Sequence, residues 1–140
     1  MPTVTALSRK QNEASRHHNL KMKHRVIIAL GSNCCQSAHI HWASERLSFL
    51  LDDCRLSSML WTADIKGSGK WYMNRLAAGY TELSADDLQQ LLKQTEAETG
   101  RTKETVTIDL DLLQYDIQRY HEKDWQRNYV SAIINDIILK

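Results

Sequence analysis

Apolar and polar positions change rhythm several times along this chain, and each change marks an element. Arg25-Val-Ile-Ile-Ala-Leu-Gly31 is a short, nearly continuous apolar run closed by glycine. Such a run predicts a central strand buried on both faces. From Ser37 to Asp53, Ile40, Ala43, Leu47, Leu50 and Leu51 recur at helical spacing while Ser44, Glu45 and Ser48 stay outside, which predicts a first helix. Arg55 to Thr62 and Asn74 to Leu83 read as second and third strands, with the loop Lys66-Gly-Ser-Gly-Lys70 between them. Ser84 is placed as an N-cap with Asp86 and Asp87 in the positive first turn of a second helix. Leu88, Leu91 and Leu92 form its apolar stripe, and Gly100 supplies its stop. Thr105 to Tyr115 predicts a fourth strand. The tail from Tyr129 to Leu139, with Val130, Ile133, Ile134, Ile137 and Ile138, fits a helix better than a strand.

The order strand–helix–strand–strand–helix–strand predicts an α+β fold of the ferredoxin-like sandwich type. It has an antiparallel sheet, two main helices on one face and a C-terminal helical segment. Residues 1–24 stand apart: Arg9, Lys10, Arg16, Lys21 and Lys23 face a single acid, Glu13, and apolar residues are sparse. They read as a disordered, solvated leader, with a basic targeting peptide or nucleic-acid arm as the alternatives. Met22 is a candidate natural start, which mass spectrometry of the native protein would decide. Residues 25–140 then form one domain.

Composition changes this picture little. At 140 residues the chain is long enough to bury a core without disulfide or metal staples. A formal net charge of +1 argues against whole-protein nucleic-acid binding. The three cysteines, Cys34, Cys35 and Cys54, are an odd number with two of them adjacent. They read as reduced thiols of a cytoplasmic protein. No apolar run approaches the roughly 20 residues that span a bilayer, so a soluble protein is expected.

Candidate chemistry is concentrated in Thr107-Ile-Asp-Leu-Asp-Leu112. On a strand, Ile108, Leu110 and Leu112 point one way and Asp109 and Asp111 the other, with Cα atoms of the two acids roughly 7 Å apart. Like charges that close raise each other's pKa unless a cation intervenes. Magnesium suits one or two carboxylates plus phosphate oxygens; the alternative is a simply solvated strand face. Asn74, preceded by Trp71 and Tyr72, can offer a carboxamide and stacking surfaces to a flat heteroaromatic ring, or merely cap a turn beside core aromatics. Arg101, Lys103, His121 and Arg127 are cations suited to phosphate, though scattered surface charges read the same way. Gly67-Ser-Gly-Lys70 is no phosphate loop, because Trp71 replaces the needed Ser/Thr and no helix clearly follows. Cys34, Cys35, His39 and His41 match no structural zinc spacing.

Six pieces in order resemble the 6-hydroxymethyl-7,8-dihydropterin pyrophosphokinase family of folate biosynthesis. They are Ile28-Ala-Leu-Gly-Ser-Asn33; Ser57-Ser58 with Thr62; Tyr72-Met-Asn74; Glu96 with Gly100-Arg101; Ile108-Asp-Leu-Asp-Leu112 followed by Leu113 and Tyr115; and His121, Arg127 and Tyr129. The similarity runs from about Val26 to Ile138. It implies a monomeric enzyme that moves pyrophosphate from MgATP to the hydroxymethyl oxygen of the pterin and releases AMP. Asp109 and Asp111 would hold two magnesium ions, with Arg101 and Lys103 at the reacting phosphates. Thr62, Tyr72, Asn74 and Tyr129 would meet the pterin, and Glu96, Arg101, His121 and Arg127 the nucleotide.

The sequence departs from the family pattern mainly at one place. An Arg-Trp-Gly-Pro-Arg stretch usual before the acidic strand is replaced by Thr102-Lys-Glu-Thr-Val-Thr107, which leaves Lys103 as its cation. The segment before His121 is also short, Ala63 stands where proline is common, and Trp61 where arginine is common. These losses bear on rate more than on binding. They keep two alternatives open: a weak or silent homologue that binds a nucleotide or pterin, and a ferredoxin-like domain with no small-molecule role.

Overall fold

The computed structural model describes residues 22–137. The leader expected over residues 1–24 therefore lies, up to residue 21, outside the described residues, as do Ile138 and Leu139 of the tail. Strand β1 (His24–Ser32) alternates its apolar side chains between two separate cores. Val26, Ile28 and Leu30 join one, and Ile27 and Ala29 the other. This alternation is why the run lacks polar positions: each face of a central strand must be apolar.

Helix α1 (Gln36–Leu50) follows and buries Ile40, Ala43 and Leu47. Helix α2 (Ala85–Ala97) begins where expected, with the Ser84 hydroxyl accepting the Asp87 N–H at 3.1 Å. It buries Leu88 and Leu92, while Leu91 is only half-buried. Gly100 takes a φ of 73° just beyond its end, a conformation that costs glycine least. The apolar stripes of both helices meet Val26, Ile28, Leu30, Met73, Leu110 and Leu112 in one core.

The stretch expected as a single strand over Arg55–Thr62 is two, β2 (Asp52–Leu56) and β3 (Leu60–Ala63). Both run along the same edge of the long β4 (Trp71–Thr81), β2 beside Ala77–Tyr80 and β3 beside Trp71–Asn74. The break is made by side chains. The Ser57 hydroxyl accepts the Leu76 N–H at 2.8 Å, and Ser58 donates its N–H and its hydroxyl to Asp136 at 2.9 and 2.7 Å. Strand β5 (Asp109–Tyr115) starts four residues later than expected, because Val106 instead pairs with Asn33. A two-residue β6 (Gln118–Arg119) turns back on it. The sheet order is β2-β4-β1-β5-β6, every pairing is antiparallel, and β3 extends β4.

The tail is a shorter helix than its pattern predicts. Helix α3 (Glu122–Trp125), helix α4 (Asn128–Ile133) and a 3-10 turn (Ile134–Asp136) cross the sheet face opposite α1 and α2. Tyr129, Val130, Ile133 and Ile137 pack there on Ile27, Ala29, Leu76, Ala78 and Leu113. Each such side chain removed from water contributes roughly 1.5–3 kcal/mol. The architecture is a mixed fold of helices on an antiparallel sheet. Among the described residues no helix is long and apolar enough to cross a membrane.

Candidate active site

Register builds the site. Gly31 of β1 lies opposite Asn74 of β4 on one side and opposite Asp109 of β5 on the other; Ala29 faces Asp111. These small residues make a floor between an amide and two carboxylates, on the sheet face that carries the tail. The tail covers only part of that face. At the end of the sheet where α1 begins, a cleft of about 190 Å³ stays open, lined by Thr62, Tyr72, Asn74, Asp109, Asp111 and Tyr129 among others.

One wall is prepared for hydrogen bonding. Asn74, 6% exposed, donates from Nδ2 to the Thr62 hydroxyl at 2.8 Å and to the Leu60 carbonyl at 3.1 Å. Both bonds use the amide nitrogen and leave the amide oxygen without a hydrogen bond to the described residues. Tyr72 is held at its hydroxyl by Asn33 Nδ2, 3.3 Å away, and Asn33 also accepts the Val106 N–H at 2.8 Å. The facing wall is Tyr129, buried against the sheet with the Arg127 guanidinium 5.5 Å over its ring. Burial pushes its phenol up to about 12, so it stays neutral. Trp71, by contrast, is more than half exposed and outside the cleft.

The floor is acidic. Asp111 has a carboxyl pushed up to about 7, first by burial and then by the neighbouring Asp109 charge, with His121 pulling the other way. Arg101 donates to Asp109 at 2.8 Å and lies 3.2 Å from Glu96, whose carboxylate accepts the Leu110 N–H at 2.7 Å. Burial raises the Glu96 pKa as well. Glu96 therefore sits beneath the acidic strand, fixing both β5 and Arg101, with its carboxyl 7% exposed as a residue.

The acidic strand divides the surface. Asp109 lines the cleft and also a neighbouring depression with Glu96, Arg101, Lys103 and Lys93. Asp111 lines the cleft and another depression with His121 and Lys93. The His121 Nε2 is 4.0 Å from Asp111. Of the expected residues, Thr62, Tyr72, Asn74, Asp109, Asp111, Arg127 and Tyr129 share the cleft, whereas Glu96, Arg101, Lys103 and His121 line the two depressions that the aspartates border.

Comparison with known proteins identifies the family. The family model for 7,8-dihydro-6-hydroxymethylpterin-pyrophosphokinase matches residues 27–139. The chain belongs to the pyrophosphokinase family. The mitochondrial folate synthesis bifunctional protein of Arabidopsis thaliana is similar to it, with 30% identity over 132 residues. That match covers 83% of this chain and 24% of the relative, so the chain spans about a quarter of that protein's length.

Within this pyrophosphokinase-family chain, the cleft also holds residues to which the sequence assigns no role. Asp64, Lys66 and Asp124 line it, and Lys93 stands in both depressions. Asp124 pairs with Arg127 at 3.5 Å, a contact that the i,i+3 spacing could have signalled. Lys93 carried no such signal, being a single lysine on a helix face, whereas Lys66, like Lys70 and Lys103, is a cation that the sequence leaves open as compensation for the shortened loops. Asn33 lay inside a quoted motif, but its task of joining β1, Tyr72 and Val106 appears only in three dimensions.

Asp109 and Asp111 are the carboxylates of the cleft that could hold a divalent cation. Asp64, Asp109, Asp111 and Asp124 face only Lys66 and Arg127 in the cleft lining. The Asp111 carboxyl is raised by burial first and by the Asp109 charge second, and Asp109 itself pairs with Arg101. Among the described residues no three His, Cys, Asp or Glu side chains converge as a complete cage.

Proposed function

We propose that the protein transfers pyrophosphate from MgATP to the hydroxymethyl oxygen of 6-hydroxymethyl-7,8-dihydropterin and releases AMP. The observation that carries this reading is the shared cleft, in which the Asn74–Thr62 pair and the Asp109–Asp111 pair flank the Ala29–Gly31 floor. Membership of the pyrophosphokinase family supports it, and a ferredoxin-like sandwich is the architecture that accompanies it.

In this reading the pterin enters between Tyr72 and Tyr129, with its amide-like edge on Asn74 and Thr62. Its hydroxymethyl group then points toward the aspartates. Asp109 and Asp111 would hold two magnesium ions, which when bound supply charge neutralisation at the attacking and leaving oxygens. Arg127 neutralises phosphate from the cleft side; Arg101, Lys103 and His121 do so from the depressions behind β5. Glu96 acts beneath them by holding Arg101 and the Leu110 N–H in place.

A second reading draws on Arg101. Its guanidinium is already committed to Asp109 and Glu96, and the connector beyond it offers Lys103 alone. A protein so equipped would bind MgATP and pterin with little turnover. AMP release from MgATP, with and without 6-hydroxymethyl-7,8-dihydropterin, separates the two. Pterin-dependent AMP supports the enzyme; binding of both ligands without AMP supports the silent homologue. Absence of both turnover and binding removes either reading.

A further inference from the structure

The hairpin between β3 and β4 is shaped from within and tied across the site. The Asp64 N–H donates to the Lys70 carbonyl and the Gly67 N–H to the Asp64 carbonyl, both at 3.0 Å. The Asp64 carboxylate accepts the Lys66 N–H at 3.1 Å, and the Ser68 hydroxyl accepts the Lys70 N–H at 3.2 Å. Gly67 and Gly69 take φ values of 76° and 82°, the left-handed conformations such a tight loop needs. The Lys70 ammonium donates to the Glu104 carbonyl, so the hairpin is fastened to the short connector ahead of β5.

The two lysines of the hairpin are consequently in different situations. The ammonium of Lys70 is engaged. That of Lys66 makes no hydrogen bond or ion pair among the described residues, and Lys66 lines the cleft with Asp109, Asp111 and Arg127. We propose that Lys66 is a polyphosphate-binding residue, through which the hairpin supplies the positive charge that the connector lacks. This rests on the pyrophosphokinase reading and extends it to a residue on the opposite wall. Of the two substrates in that reading the pterin is uncharged, so the phosphate chain is the partner for a free cation in the cleft. A compact ammonium on a flexible stem can follow a phosphate as it moves from nucleotide to product.

Calorimetric titration with the magnesium complex of α,β-methylene-ATP, and separately with AMP, tests this on the full chain. Lys66 is exposed in a surface loop, so Lys66→Gln is expected to fold as the parent does, and circular dichroism checks that. Its affinity for the triphosphate analogue should fall about tenfold, the effect of about 1.4 kcal/mol, while AMP affinity stays within twofold and Lys66→Arg recovers most of the loss. Unchanged analogue affinity in Lys66→Gln, with the parent protein binding well, overturns the role of Lys66 and leaves the pyrophosphokinase reading standing. Equal losses for AMP and the analogue also overturn it, because the effect then lies on the adenosine side. A parent protein that binds neither ligand overturns both.

Discussion

Burial and the Asp109 charge hold the Asp111 carboxyl up against the pull of His121. Its folded-state pKa of about 7 lies above the unfolded carboxylate value near 3.9, so the folded protein holds this proton more tightly than the unfolded chain does. Stability of the metal-free protein therefore falls as pH rises from about 4 to about 7 and levels off above that. Allowing for the solvent that still reaches the side chain, the loss is roughly 2 kcal/mol. Urea denaturation across that range, with chelator present, measures it; Asp111→Asn should flatten the profile. A carboxyl titrating near 7 by carbon NMR, moving down when magnesium is added, is the matching direct observation. In Asp109→Ala the Asp111 pKa should fall but stay raised, since burial, its larger cause, persists. The same variant should lose magnesium-dependent MgATP binding, because one carboxylate cannot support two ions. Glu96→Ala leaves the Leu110 N–H and Arg101 short of an acceptor and should cost about 1–3 kcal/mol in urea denaturation.

Among the elements, the β2–β3 break and the tail answer to one contact. Asp136 accepts from both the N–H and the hydroxyl of Ser58, and those bonds hold its pKa below the usual carboxylate range. Asp136→Ala should loosen the segment that carries Tyr129, read as faster amide exchange over residues 129–137, and weaken pterin affinity with little change for MgATP. That contact also shows what periodicity reveals. The continuous apolar run of β1, the alternation in β5 and the helical stripes of α1 and α2 follow from local spacing, so these elements and the facing of Asp109 and Asp111 were legible in the chain, although Ser44, expected outside, is buried in α1. The end of the strand at Leu56 was not, because its cause lies 78 residues away at Asp136. The late start of β5 likewise depends on Asn33 capturing Val106. Thr62, Tyr72, Asn74, Arg127 and Tyr129 could be singled out by type and order, and the fold brings all five to one cleft. Asp124 became visible only when the tail was placed around that cleft, and Lys66, open from the sequence as a compensating cation, is placed there by the hairpin.

On the scale of the molecule, a sheet buried on both faces has two cores that answer to different parts of the chain. The helix-side core is built from residues 26–112, whereas the opposite core needs residues 129–137 as well. Ligands touching both sides of the sheet should stabilise the whole: MgATP at a hundred times its Kd is expected to add about 2.7 kcal/mol, visible as a rise of several degrees in Tm. Synthesis from the N-terminus makes the division consequential. As the chain leaves the ribosome, the helix-side core can close while Ile27, Ala29, Leu76, Ala78 and Leu113 still lack their cover, and Tyr129 arrives with that cover. The binding cleft is thus completed last, in the same event that hides the second apolar face. Until residues 129–137 emerge, the cleft lacks its Tyr129 wall and the second apolar face lacks its cover.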